Sequence, residues 1–156
     1  MEGVSTLKDT LQADLNVATK AREALEMSTL RMAIAAVKNA EVAGKEAVEL
    51  SDDEVIKVLQ AESKKRVESA EIYEQAGRTD AAAKERAEVA ILAKYLPAAM
   101  GDDELAAIVN EEVANAAAAG NTGPKAMGLV VKAVRGRVGS SADGSKIAEL
   151  VKAALA

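Results

Sequence analysis

Cysteine, histidine, phenylalanine and tryptophan are all missing from this chain, and Tyr73 and Tyr95 are its only aromatic residues. Without cysteine there is no disulfide framework and no thiolate metal site, as in many intracellular proteins. Without histidine the chain lacks the commonest general base, the commonest metal ligand and every Ser-His nucleophile. Helical bundles that hold two irons use Glu-x-x-His pairs, so the glutamates here cannot complete that motif. Two tyrosines are too few for a surface that reads single-stranded RNA by stacking bases on rings. No apolar run approaches the roughly 18 residues that cross a bilayer. Met1-Glu2-Gly3-Val4 has neither the basic nor the apolar stretch of a secretory signal. The expectation is a cytoplasmic protein with no metal, no cofactor and no catalytic constellation.

Hydrophobic residues make up 49% of 156 positions, enough for a real core in one domain or two small ones. That core must be built from Ala, Val, Leu, Ile and Met. A buried Leu or Val contributes about 1.5–3 kcal/mol and a buried Ala roughly one methyl's worth, so stability is spread over many modest contacts between closely spaced helices. Apolar positions recur at helical spacing almost throughout, and no segment alternates like a half-buried strand. The predicted fold is all-α.

Ser5 or Thr6 can cap a first helix carrying Leu7, Leu11, Leu15 and Ala18 to about Ala24. A second is expected to restart at Ser28 or Thr29, with Leu30, Ile34, Val37 and Glu41 in register, and to end at Gly44. Ser51-Asp52-Asp53-Glu54 reads as a capping box opening a long third helix through Val55, Leu59, Glu62, Arg66 and Tyr73 to Gly77. Thr79 is the expected cap of a fourth, stopped by Pro97. Gly101-Asp102-Asp103-Glu104 opens a fifth helix with acids in its first turn. Pro124 begins a sixth, broken at Gly136 or Gly139, and Asp143 caps a seventh carrying Ile147, Leu150, Val151 and Leu155. This predicts an N-terminal four-helix unit, residues 1–98, followed by a small three-helix C-terminal domain, residues 99–156.

Charge is divided unevenly along the chain. The net value is −5, yet the last 36 residues hold Lys125, Lys132, Arg135, Arg137, Lys146 and Lys152 against only Asp143 and Glu149. A basic end on an acidic protein points to a polyanion. Lys125 and Lys132, seven apart, are expected on one face of the sixth helix with Arg135 three further on, and Arg137 and Lys146 flank the following turn. Guanidinium groups grip phosphate in two places, so Lys125, Lys132, Arg135, Arg137 and Lys146 are the candidate RNA-binding residues. Lys64-Lys65-Arg66 and the pair Arg31 and Lys38 are better read as solvated helix faces, as are Glu85 with Glu88 and Glu111 with Glu112.

Gly139-Ser140-Ser141-Ala142-Asp143-Gly144-Ser145-Lys146 has the glycine spacing of a phosphate-binding P-loop, but its Lys-Ser order is reversed and a helix is expected before it instead of a strand. A Ser-Lys amidase would need a sheet-based fold that nothing here suggests. The stretch reads as a Ser/Gly turn before a capped helix.

Gly123-Pro124-Lys125-Ala126-Met127-Gly128, then Val130, Val134, Val138 and Ala142-Asp143-Gly144, resembles the tail of the GatB/YqeY family. Upstream, Leu30-Arg31-Met32, Val37-Lys38-Asn39-Ala40-Glu41, Glu62-Ser63-Lys64-Lys65-Arg66, Gln75-Ala76-Gly77-Arg78 and Tyr95-Leu96-Pro97 follow in the family's order, so the likeness spans nearly the whole chain. Where the family pattern has Met-Pro-Lys this chain has Arg135-Gly136-Arg137, and Ser141 stands where an Arg precedes Ala-Asp-Gly; positive charge is moved and not deleted. The resemblance implies two helical domains, the second similar to the tRNA-facing tail of the glutamine-dependent aminoacyl-tRNA amidotransferase B subunit. It further implies association with tRNA or another folded RNA, and a partner among the aminoacyl-tRNA amidotransferases or synthetases. Family-level carbon-nitrogen ligase activity, with glutamine as amido-N-donor, would fall to such a complex. The ATP-using half of the B subunit and the glutaminase have no counterpart in these residues. A protein–protein interaction module is the alternative role.

Overall fold

The structure, a computed structural model, describes residues 6–156, and among them it contains seven α-helices and no strand. Ser5, the alternative first cap, lies outside the described residues. The chain divides into two compact units, Met1–Leu96 and Pro97–Ala156.

In the first unit, α1 (Leu7–Ala21) starts at a capping box: the Thr6 hydroxyl accepts from the Asp9 N–H and the Asp9 carboxylate accepts from the Thr6 N–H. Its end comes earlier than the expected Ala24. Arg22 turns left-handed (φ 58°), and the Glu23 N–H donates back to the Ala18 carbonyl at 3.0 Å. α2 (Ala24–Glu41) therefore begins at once, not at Ser28 or Thr29. Ser28 instead donates to the Leu25 carbonyl inside the helix, and Thr29 is buried with no partner for its hydroxyl among the described residues. The helix ends at Glu41, three residues before Gly44.

Ser51 caps α3 (Asp52–Gln75) with the expected reciprocal bonds to Glu54. The loop between α2 and α3 is fastened to the first turn of α1. Glu41 accepts from Lys8 Nζ at 2.6 Å and from the Leu50 N–H at 3.0 Å, and Asp52 accepts from the Leu7 N–H at 2.9 Å. These contacts hold the Glu41 carboxylate below its ordinary pKa, the Lys8 bond being the largest cause.

Gly77 (φ 76°) ends α3, and the Arg78 N–H reaches back to the Tyr73 carbonyl at 2.8 Å. This closure makes Arg78, not Thr79, the N-cap of α4 (Thr79–Ala93) and lays its guanidinium 5.1 Å over the Tyr73 ring. α3 and α4 form a helical hairpin, and α1 packs on α2. The core is Leu11, Leu30, Ala33, Val37, Val55, Leu59 and Leu92, bordered by Tyr95 and Leu96.

The second unit holds α5 (Asp102–Ala118), α6 (Met127–Val138) and α7 (Gly144–Leu155) around Leu105, Val109, Ala126, Val130, Val134, Ile147 and Val151. Gly123 (φ 69°) and Pro124 produce a 3-10 turn, Pro124–Ala126, before α6. The helix runs through Gly136 and ends at Val138, where Gly139 takes φ 55°. Asp143 caps α7 by accepting from the Ser145 N–H at 3.3 Å, and the Met100 N–H ties the segment before α5 to the Ser141 carbonyl at 2.9 Å.

Candidate functional site

Apolar residues of α6 decide where its cations point. Val130, Val134 and Val138 recur every four residues and are buried, so Lys132, Arg135 and Arg137 fall on the exposed side. Lys125 is exposed too, but it sits in the 3-10 turn and not on α6. The seven-residue register with Lys132 does not hold there, since a 3-10 turn advances three residues per turn and an α-helix 3.6.

The five cations are not equivalent. Arg137 Nη1 donates to Glu111 Oε2 at 2.7 Å and to Glu112 Oε1 at 3.2 Å, two carboxylates from α5. Those bonds, Glu111's first, raise its pKa further above the arginine range. Lys146 Nζ is paired with Asp102 in the first turn of α5. Lys125, Lys132 and Arg135 make no ion pair among the described residues. The expected five-membered surface is thus three cations open to solvent and two engaged by α5. The acids responsible come from the first and middle turns of α5, more than 24 residues earlier in the chain, so spacing within the tail gave no sign of them.

Arg135 has a distinct neighbour. A Cβ built on Gly144 would lie 2.7 Å from its Nη2 and 3.5 Å from its Cζ, so the guanidinium rests against the bare first residue of α7. Gly139–Ser141 forms a 3-10 turn that follows a helix, which removes the strand a P-loop requires.

With this geometry, the model of the family described as Yqey-like protein matches residues 8–155. The chain belongs to the YqeY-like family. It is accordingly a small helical module of the type related to the C-terminal part of the amidotransferase B subunit. The YqeY-like chain is also similar to Altered inheritance of mitochondria protein 41, mitochondrial, from Meyerozyma guilliermondii, at 38% identity over 88 residues. That alignment covers 56% of this chain and 45% of the relative, so it spans less than half of the relative's length. No helix among the described residues is long and apolar enough to cross a membrane.

In the first unit, two groups expected on solvated faces are interior. Arg66 and Glu88 are buried at 4% and 7% exposure, joined Nε to Oε2 at 3.0 Å, and Glu62 holds Arg66 Nη1 at 3.1 Å. Their pairing makes both part of the α3–α4 contact. Lys65 keeps the surface pairing expected of it, 3.4 Å from Glu62, and Arg31 and Lys38 are exposed.

Proposed function

We propose that this YqeY-like protein is a non-catalytic, tRNA-associated module whose C-terminal unit rests on the phosphodiester backbone of a folded RNA. The observation that carries it is selective pairing: Lys132 and Arg135, one helical turn apart on α6, and Lys125 in the turn before it, have no acid partner among the described residues, while Arg137 and Lys146 are engaged by α5. Unpaired cations on one exposed helix face suit a phosphate backbone, whose binding proceeds by release of condensed counterions. tRNA is favoured among folded RNAs because this segment resembles the tRNA-facing tail of the amidotransferase B subunit. An aminoacyl-tRNA amidotransferase or synthetase in the cytoplasm is then the complex in which the module serves.

Filter binding of tRNA at 50 and 200 mM salt tests this. Three neutralised phosphates weaken binding roughly 40-fold over that interval. Changing Lys125, Lys132 and Arg135 together to Glu removes the binding. Retention of tRNA by that triple variant with an unchanged salt slope rules the face out.

A further inference from the structure

Gly144 opens α7 without needing to be glycine for its own backbone. Its φ lies outside the left-handed region that Gly77, Gly120, Gly123 and Gly139 occupy. Alanine is the better helix former and the chain uses it freely elsewhere, so a residue with no side chain here calls for another cause. The three nearest atoms a Cβ would meet all belong to Arg135: Nη2 at 2.7 Å, Cζ at 3.5 Å and Nε at 3.8 Å, the first closer than a real Cβ tolerates. The only contact closer than 3 Å is to the end of a flexible side chain, so an added methyl moves the guanidinium and leaves the fold intact.

Resting on the RNA-facing assignment above, we infer that Gly144 is a positioning residue, whose missing Cβ seats the Arg135 guanidinium against the first turn of α7 as a preset fork for an RNA phosphate. A guanidinium presents its donors in a rigid plane, and holding that plane before the RNA arrives reduces the side-chain entropy lost on binding. The seat also sets the cation beside the positive end of α7, where an arriving phosphate meets both fields at once.

The full chain and its Gly144→Ala, Arg135→Ala and doubly substituted variants are compared for tRNA binding at two salt concentrations and for melting temperature. Arg135→Ala is expected to weaken binding about three- to tenfold and to lower the salt slope by about one, the loss of a single phosphate contact. Gly144→Ala weakens binding in the same direction with a melting temperature equal to or above the parent's, and the double variant binds no worse than Arg135→Ala alone. Gly144→Ala binding like the parent while Arg135→Ala is impaired overturns the inference and spares the proposed function. Loss of binding with a lowered melting temperature overturns it too, by making Gly144 structural. Failure of the parent chain to retain tRNA overturns the proposed function itself, and the phosphate role of this seat with it.

Discussion

Arg66 and Glu88 face each other in the interior of the N-terminal unit, Nε to Oε2 at 3.0 Å, with Glu62 at Nη1 of the guanidinium and Met32 Sδ at Nη2. Removing one member of a buried pair strands the other charge, at a cost of about 3–5 kcal/mol, whereas replacing both by apolar groups of similar volume is often neutral. Glu88→Ala is therefore expected to lower the unfolding free energy by about 3 kcal/mol or more. Arg66→Met with Glu88→Leu should recover most of it. Urea titrations of the parent and the two variants check this, and a double variant no more stable than Glu88→Ala would show that a stranded charge is not what the single substitution costs.

The same pair marks what the sequence could and could not convey. Caps were legible because they are local: Ser51 with Glu54, Thr6 with Asp9, Asp143 before Ser145, and Gly77 at the end of α3 need only neighbours to act. Arg66 carried a signal too, since it continues the register of Val55 and Leu59 along the buried side of α3. Its partner, 22 residues away on another helix, has no spacing that could announce it. The tail cations follow the same division. α6 placed Lys132 and Arg135 outward through its valines, but which cations remain unpaired depended on carboxylates of α5. The early start of α2 was hidden because Arg22 adopts a left-handed turn that glycine ordinarily supplies.

Tyr95 gives the unit a response to alkali. Its hydroxyl donates to Asp14 Oδ2 at 2.5 Å, and burial first, then that carboxylate, hold its pKa well above the usual tyrosine value of about 10. Above pH 10 an unfolded chain gives up the phenolic proton while the folded one keeps it, so the contribution is complete below pH 10 and declines as pH rises toward the folded value. The urea midpoint of the parent should fall more between pH 9 and 11 than that of Tyr95→Phe. Equal slopes would mean that the hydroxyl is not held as the geometry shows.

Two glycines should respond oppositely to alanine. Gly77 has φ 76°, a conformation that penalises any Cβ, so Gly77→Ala is expected to cost about 1 kcal/mol. Gly136 lies within α6, outside the left-handed region, and beyond the adjoining helix backbone no described atom comes within 4 Å of an added Cβ. Gly136→Ala should stabilise the protein by about 0.5–1 kcal/mol through helix propensity and a stiffer unfolded chain. Thermal melts of both variants decide it.

The acids of α5 offer a gain-of-function test that charge reversal cannot provide. Arg137 is withheld from solvent anions by Glu111 and Glu112 at 2.7 and 3.2 Å. Exposed pairs of this kind contribute only about 0–1 kcal/mol to stability, so changing both acids to Gln leaves the fold standing. The substitution frees a guanidinium two residues from Arg135 and removes two negative charges from the neighbouring helix. tRNA binding should become tighter by about three- to tenfold, and the dependence on salt steeper by about one released counterion. The mirror experiment, Arg137→Gln in the parent, should change affinity far less than Lys132→Gln, because a cation already held by two carboxylates has little left to give a phosphate. If Arg137→Gln and Lys132→Gln weaken binding equally, the RNA opens those ion pairs as it binds, and the open face would extend past Arg135 to the end of α6.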